Sequence, residues 1–349
     1  MKRQSLVNYG APLAATEAPL PVPQGTEVLV RIVNCGVCHS DLHLQDGHFD
    51  LGDGKELDIR SLRSLPFTLG HEIAGHVVAA GPDAGAITPA TLFAVYPWIG
   101  CGTCGPCKRG DEHLCDKPRH LGITVDGGFA SHVLVPHPRY LIDASGVDPA
   151  IAGLCMCSGV TAYTALRKAR GYLSSKPSLM IVGLGGVGMM GLEIARATRD
   201  ARILTADIAA AKREASLALG AAAAFDPVDA GARKAIFQSG GAVDVAIDFA
   251  GSDSSLTFAQ SIVGKGGAVI VVGLMGGRFS LPVPMFPLRE LTITGSFTGP
   301  LADAQAVLAL AREGKLRPIP MHARPLAQAS QALDDLRAGR VVGRTVLRP

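Results

Sequence analysis

The sequence lacks the features that mark membrane proteins and nucleic-acid-binding proteins. Its 33 basic and 30 acidic residues give a formal net charge of +3, and neither sign is clustered, which argues against a surface for polyanions. No apolar run approaches the roughly 20 residues of a membrane span, and no apolar segment follows the basic start MKR. We therefore expect a cytoplasmic protein that binds neither nucleic acid nor membrane.

The pattern of the chain changes near Ser158, which predicts two domains in these 349 residues. Before Ser158, short β-branched runs alternate with Gly, Pro and Asp, as in β-rich structure with long loops. After it, strand and helix patterns alternate, as in a parallel sheet with crossover helices. The clearest predicted strands are 27–33, 74–80, 132–135, 179–182, 202–206, 243–249, 268–272 and 344–347, with a helix over 301–313. The polar stretch 51–65 is predicted to be a surface loop.

Half of the eight cysteines lie in one short segment, GCGTCGPCKRGDEHLC. In a reducing compartment, their C-x2-C-x2-C-x7-C spacing indicates thiolates on a metal rather than disulfides. Four thiolates close a tetrahedral zinc shell and leave no position for substrate, which predicts a structural zinc. The ligands are Cys101, Cys104, Cys107 and Cys115. An iron–sulfur cluster and four unrelated buried thiols are the alternatives.

A second, more dispersed set of metal-binding residue types consists of Cys38, His71, Glu72 and Cys157. Two thiolates and one imidazole leave one coordination position open, which is the composition of a catalytic zinc site. Cys35 and Cys155 lie close to two of these residues in the chain. Spacing alone does not decide which cysteine of each pair is the ligand.

A glycine-rich segment after a predicted strand fits the dinucleotide fingerprint GxGxxG. Because 42 of the 349 residues are glycine, a bare match is weak, and the same pattern also occurs elsewhere in this chain. The context selects Gly183, Gly185 and Gly188: a strand precedes them, an Ala-rich helix follows, and Asp207 ends the next strand. An acidic residue there binds the adenosine ribose and repels a 2′-phosphate, which predicts NAD rather than NADP.

Together, these motifs resemble the zinc-containing medium-chain alcohol dehydrogenases over essentially the whole chain. The resemblance implies an α/β protein with a GroES-like β-rich catalytic domain over 1–157, completed by 298–349. It implies a Rossmann NAD-binding domain, a doubly wound parallel sheet, over 158–297, with the active site in the cleft between them. It also implies two zinc ions per chain and a homotetramer or homodimer.

The same resemblance assigns roles to individual residues. Cys38, His71 and Cys157 become the ligands of the catalytic zinc, with Glu72 behind the metal and Asp41 fixing the ring of His71. Ser40 and His43 form a relay that carries the alcohol proton to solvent. The implied cofactor contacts are His39, Gly183, Gly185, Gly186, Val187, Gly188, Asp207, Lys212, Leu274 and Arg344. Among these, His39 and Arg344 are expected to face the pyrophosphate.

The substrate channel implied by the resemblance is apolar and aromatic, with Phe49, Trp98, His120, Phe129 and Leu274 in its wall. This favours a medium-chain, cyclic or aromatic alcohol, interconverted with its aldehyde or ketone. The basic residues of the 51–65 stretch, Lys55, Arg60 and Arg63, leave an ω-hydroxy acid as an alternative, and a polyol or sugar is the other. The zinc-ligand set argues against a zinc-free reductase, and Ser40 with His43 argues against a non-enzymatic NAD-binding protein.

Overall fold

A computed structural model describes residues 1–88 and 90–349. Contacts between residues divide the chain into two units. The first unit comprises Met1–His48, Asp58–Val160 and Gly299–Pro349, and the second comprises Phe49–Leu57 and Thr161–Thr298. The C-terminal segment therefore returns to the unit in which the chain begins.

The strands and helices of both units are numbered here in chain order. The strands are β1 Lys2–Leu6, β2 Ala14–Glu17, β3 Val28–Gly36, β4 His48–Gly52, β5 Lys55–Asp58, β6 Phe67–Thr68, β7 Glu72–Ala80, β8 Phe93–Val95, β9 His132–Val135, β10 Leu141–Asp143, β11 Ser178–Val182, β12 Arg202–Ala206, β13 Ala223–Phe225, β14 Val243–Asp248, β15 Val263–Val271, β16 Thr292–Gly295, β17 Met321–Pro325 and β18 Arg344–Arg348. The α-helices are α1 His39–Asp46, α2 Gly105–Lys108, α3 Pro149–Leu154, α4 Val160–Ala169, α5 Gly186–Thr198, α6 Ala210–Ala218, α7 Ala232–Gln238, α8 Asp253–Ile262, α9 Met285–Arg289, α10 Leu301–Arg312 and α11 Ala329–Arg337.

The first unit is built on a seven-stranded sheet in the order β10-β8-β7-β3-β18-β17, with β9 also paired to β3. Strand β3 is the centre of this sheet, and its apolar run is buried on nearly every residue. It pairs antiparallel with β7, which places Gly36 opposite Glu72, and with β18, which places Gly36 opposite Val346. The C-terminal strand thus completes the sheet beside the start of β7.

The second unit contains a six-stranded parallel sheet in the order β13-β12-β11-β14-β15-β16. Ranked along the chain, this is the strand order of a Rossmann sheet, as the sequence predicts. Helices cover both faces of such a sheet, so its strands are continuous apolar runs. All five residues of β11 are buried.

The stretch 51–65 lies at the surface, as predicted, but it is not all loop. It includes the end of β4 and all of β5, which form a hairpin, and a 3₁₀ turn at Arg60–Leu62 follows. At the hairpin tip, Asp53 pairs with Arg278 at 2.6 Å. A Cβ on Gly52, whose φ is +77°, would press against the same arginine. These contacts join the hairpin to residues far away in the chain, and the sequence pattern does not reveal them.

One long helical stretch runs from Pro149 to Tyr172 and includes a π-helical turn at Cys155–Gly159. By length and composition it could cross a membrane, which the sequence did not lead us to expect. However, 83% of its most apolar window is buried inside the protein, as in a core helix. Such π-helical turns often occur at functional sites.

Candidate active site

Four buried residues in the first unit bring their metal-binding atoms together. The ligand atoms of Cys38, His71, Glu72 and Cys157 all lie within 4.8 Å of one another. Cys38 is the residue before α1, His71 directly precedes β7 and Glu72 begins it, and Cys157 lies in the π-helical turn. The two sulfurs are 4.0 Å apart, far beyond a disulfide bond. Two sulfurs on a tetrahedral zinc are about 3.8 Å apart, so the set fits this metal.

The imidazole of His71 is oriented by a buried carboxylate. Asp41 Oδ1 lies 3.4 Å from His71 Nδ1, and both side chains have no exposed surface. The other oxygen of Asp41 accepts a hydrogen bond from the backbone N–H of Cys38 at 2.9 Å. Within the described residues, both ring nitrogens of His71 are buried and neither makes a hydrogen bond of regular geometry, so Nδ1 has only the Asp41 carboxylate beside it and Nε2 has no partner. A nitrogen oriented in this way and left without a partner suits a metal ligand.

The structure separates the two cysteine pairs that spacing alone did not resolve. Cys35 and Cys155 are fully buried and are not members of the cluster. Burial raises the pKa of the Cys155 thiol to about 12 and that of Cys35 well above its usual value. The hydrogen bond between Cys38 and Cys157 chiefly lowers the pKa of Cys38 and raises that of Cys157, so it is membership of the cluster, not pKa, that separates Cys157 from Cys155. Cys38 is therefore the thiol of this region whose surroundings favour the thiolate.

Glu72 and Arg344 form a buried ion pair that the sequence analysis did not predict. Arg344 Nε lies 3.0 Å from Glu72 Oε2, and a second contact joins Nη2 to Oε1. Gly36 allows this arrangement, because a Cβ at that position would strike the Glu72 carboxylate. Arg344 is thus held by Glu72 in this structure, and its pyrophosphate contact stays a prediction. The sequence does not reveal this ion pair, because the two residues are far apart in the chain and meet only through the register of the sheet.

An aromatic layer lies against His71. The Trp98 ring is 5.6 Å from the His71 ring and 5.3 Å from the His120 ring, between centroids. Trp98 Nε1 donates to the backbone oxygen of Met156 at 2.9 Å, which fixes the indole. Burial lowers the pKa of His120 to about 4, so this ring is neutral near pH 7. Its Nε2 is buried and has no hydrogen-bond partner within the described residues.

The two predicted relay residues lie on α1, directly after Cys38. Ser40 Oγ is 3.8 Å from Cys38 Sγ. His43 follows three residues later and therefore lies on the same face of the helix. Burial, with a further contribution from His39, lowers the pKa of His43 to about 4. The pKa of His43 therefore lies well below the ordinary value of a histidine, because its ring is partly buried.

The four cysteines of the CxxCxxC segment converge on one point. Their sulfurs all lie within 4.8 Å of one another, and all four are free thiols. The sulfur of Cys104 is 3.4 Å from that of Cys107 and 3.8 Å from that of Cys115. Backbone N–H groups of Cys101 and Lys117 donate to the sulfur of Cys115. This arrangement fits a closed zinc shell of four thiolates.

A buried carboxylate that the sequence analysis missed anchors this cysteine lobe. Glu112 is only 2% exposed. Its Oε2 accepts hydrogen bonds from the Tyr140 hydroxyl at 2.7 Å and from Gly100 N at 3.1 Å. Its Oε1 pairs with Arg139 at 2.5 Å. Glu112 reads as an ordinary surface residue in the sequence, and only its tertiary partners reveal its position.

In the second unit, the glycine loop has the geometry expected for a dinucleotide. Gly183 has a φ of +83°, and Gly185 caps the N-terminus of α5. A Cβ on Gly188 would strike the backbone oxygen of Gly183, so helix and strand approach closely only with glycine there. Asp207 accepts hydrogen bonds from Leu184 N at 2.7 Å and Ala209 N at 2.8 Å. The carboxylate is thereby held at the end of β12, beside the loop.

The remaining predicted residues are placed as follows. His39 is exposed at the start of α1, and Gly186, Val187 and Lys212 are buried or half-buried near the starts of α5 and α6. Phe129 is fully buried and packs beside Gly70, next to His71 in the chain. Phe49 and Leu274 belong to the second unit, and Leu274 is 43% exposed. Their roles in the substrate channel stay predictions.

Comparison with known proteins matches this geometry to one family. Residues 24–145 match the model of the alcohol dehydrogenase GroES-like domain, and residues 186–313 match that of zinc-binding dehydrogenases. An NAD-dependent alcohol dehydrogenase of Sulfurisphaera tokodaii is 38% identical, with both chains covered over 100% of their length. The chain belongs to the zinc-containing medium-chain alcohol dehydrogenase family.

Other proteins similar to this chain include an alcohol dehydrogenase of known structure and a sugar dehydrogenase. The crystal structure of the alcohol dehydrogenase from Aeropyrum pernix superimposes with a TM-score of 0.90, at 28% identity and 100% coverage of both chains. A D-arabinose 1-dehydrogenase (NADP(+)) of Saccharolobus solfataricus is 29% identical over 100% of this chain and 97% of its own. The GroES-like and Rossmann folds predicted from the sequence are confirmed.

Proposed function

We propose that the protein is an NAD-dependent alcohol dehydrogenase that holds two zinc ions per chain. It interconverts primary or secondary alcohols with aldehydes or ketones. The observation that carries this proposal is the buried set Cys38, His71 and Cys157, in which His71 Nε2 has no hydrogen-bond partner within the described residues. Full-length relatives named NAD-dependent alcohol dehydrogenases support it.

In the proposed reaction, zinc and NAD supply the chemical activation and the hydride acceptor, and residues of the chain orient the groups and transfer the proton. Zinc held by Cys38, His71 and Cys157 would make the alcohol hydroxyl more acidic, and NAD bound at the glycine loop would accept the hydride. Asp41 holds the His71 ring in the orientation that leaves Nε2 for the metal. The Ser40 hydroxyl, near the Cys38 sulfur, takes the alcohol proton and passes it towards His43. Because the pKa of His43 is about 4, its ring is neutral at physiological pH and only weakly basic, so a proton that reaches it passes on to solvent rather than staying on the ring.

The aromatic layer of Trp98 and His120 against His71 supports an apolar or aromatic alcohol as substrate. A sugar or polyol is a second candidate, because the buried Nε2 of His120 has no partner among the described residues and can accept a hydrogen bond from a substrate hydroxyl. The sugar dehydrogenase among the relatives supports keeping this candidate. We also propose a homotetramer or homodimer, which light scattering tests.

The test is NAD reduction with hexanol, benzyl alcohol, cyclohexanol, sorbitol and arabinose, together with zinc content of the same sample. We expect activity on the apolar alcohols and about two zinc ions per chain. The matched variants are Cys157→Ala and Cys155→Ala. The first should lose one zinc and the activity, whereas the second, a buried thiol outside the cluster, should keep both. Full zinc content with no activity on any alcohol contradicts the proposal.

A further inference from the structure

Among the residues that the structure describes, one buried arginine of the first unit has no acidic partner. Arg63 is only 8% exposed. Its Nε donates to the backbone oxygen of Ile123 at 2.8 Å, and its guanidinium carbon lies 5.5 Å from the centroid of the Phe67 ring. These two contacts hold the guanidinium in place. They leave its two terminal nitrogens, which carry four N–H donors, for other partners.

Those two nitrogens, Nη1 and Nη2, are buried and make no hydrogen bond to any residue that the structure describes. The Tyr9 hydroxyl is close enough to favour the charged form; it donates its own proton to Arg60 O at 2.9 Å, and its oxygen is a nearby acceptor that forms no hydrogen bond of regular geometry with the guanidinium. Burial lowers the pKa of Arg63, yet a guanidinium remains charged at any physiological pH. Arg63 is therefore a buried cation with unsatisfied donors, which is an unfavourable arrangement unless an anion meets them.

The second buried arginine, Arg344, shows which kind of partner Arg63 lacks. Among the described arginines, Arg63 and Arg344 are the two that are buried. Arg344 is paired with the Glu72 carboxylate through two nitrogens. No carboxylate of the described chain takes the corresponding place at Arg63. The fork of a guanidinium matches a carboxylate through two parallel hydrogen bonds, so a carboxylate is the ligand that would complete Arg63.

Arg63 is also connected to the candidate active site. Its partner Ile123 belongs to a turn in which the backbone N–H groups of Ile123, Thr124 and Val125 all donate to His120 O. The ring of His120 contacts Trp98, which contacts His71 of the metal-binding cluster. The guanidinium of Arg63 and the aromatic layer beside His71 are therefore both attached to the turn over residues 120–125.

We propose that Arg63 binds the carboxylate of a hydroxy-acid substrate whose hydroxyl group is oxidised at the Cys38–His71–Cys157 cluster. The part of this proposal that concerns oxidation of the hydroxyl group rests on the proposed alcohol dehydrogenase function. The reaction is that of any alcohol: the carbinol becomes a carbonyl, NAD gains the hydride and a proton is released. The carboxylate takes no part in it and supplies binding and selectivity.

The test compares two substrates of the same chain length, 6-hydroxyhexanoate and 1-hexanol, in matched variants. Arg63→Met removes the fork, and Arg60→Met is the control in the same segment, because the Arg60 side chain is 61% exposed and pairs with Asp58. We expect the ratio of kcat/KM for the hydroxy acid over that for hexanol to fall at least about tenfold in Arg63→Met. In Arg60→Met this ratio should stay within about twofold of the original.

Calorimetric titration with hexanoate, without NAD, tests the site independently of turnover. Binding by the original chain that is lost in Arg63→Met supports the site, even if no alcohol is oxidised and the proposed function fails. Binding lost with an unchanged kcat/KM ratio overturns the substrate assignment and leaves a free carboxylate as the ligand. If neither the ratio nor hexanoate binding depends on Arg63, the proposal is wrong and internal water satisfies the donors. Should Arg63→Met fail to fold, Arg63→Lys keeps the charge without the fork, and the same fall in the ratio is expected.

Discussion

The buried carboxylate of Glu112 should control how firmly the cysteine lobe holds its zinc. Replacing Glu112 with Ala leaves Tyr140 Oη and Gly100 N without the oxygen that now accepts both of their hydrogen bonds. Gly100 directly precedes Cys101, so this loss acts at the first predicted ligand of the lobe. Zinc release from the lobe is therefore the property that we expect to change.

The size of the effect follows from the burial of each partner. A buried donor left without an acceptor costs about 1–3 kcal/mol. Arg139 adds less than about 1 kcal/mol, since its side chain is 51% exposed and water screens the ion pair. The lost contacts together correspond to about 3 kcal/mol, or roughly a hundredfold in the equilibrium for opening the lobe. Zinc release that depends on this opening should accelerate by the same factor.

The assay is the rate at which a coloured chelator takes the first zinc from the protein, together with the zinc remaining afterwards. The control is Glu313→Gln, whose carboxylate is 53% exposed and pairs only with Lys315 among the described contacts. We expect roughly hundredfold faster release in Glu112→Ala and no change in the control. Release within about threefold of the original rate would refute the idea that Glu112 anchors the lobe.

Three further predictions follow from buried or oriented groups. Arg344→Met leaves the Glu72 carboxylate buried without its partner, so denaturant titration should show the free energy of unfolding lowered by about 3–5 kcal/mol. The control variant Arg340→Met, at an exposed arginine, should change it by less than about 1 kcal/mol. Equal effects of the two variants would contradict the burial argument. His43→Gln should lower kcat/KM across about pH 5–9, because a ring with a pKa of about 4 is neutral throughout that range, and a limb near pH 6.5 that the variant removes would show an unshifted histidine. Asp207→Ser should lower kcat/KM for NAD at least about tenfold and raise the NADP-to-NAD ratio; an unchanged ratio would place the ribose contact elsewhere.

The sequence alone determined the features that depend on neighbouring residues. The four-cysteine spacing predicted one converged thiol cluster, because short intervals in a loop bring the sulfurs to one point. The strand–glycine–helix pattern at Gly183 predicted the Rossmann sheet, because apolar runs and glycine positions are local signals. The dispersed set of Cys38, His71 and Cys157 required the resemblance to a known family, since spacing did not separate Cys157 from Cys155.

Only the tertiary structure decided which distant groups meet and how burial changes their chemistry. Glu72 and Arg344 become partners through the register of β7, β3 and β18, which joins residues far apart in the chain. The pKa of His43 falls because its neighbours remove water from the ring, and a sequence does not state burial. In the sequence, Arg63 is one of several basic residues in a polar stretch. The fold buries its side chain beside Phe67, with no carboxylate partner among the described residues. The sequence shows which side chains are charged. Whether a charged side chain is exposed to water, and which group it pairs with, depends on how segments that are distant in the chain pack together.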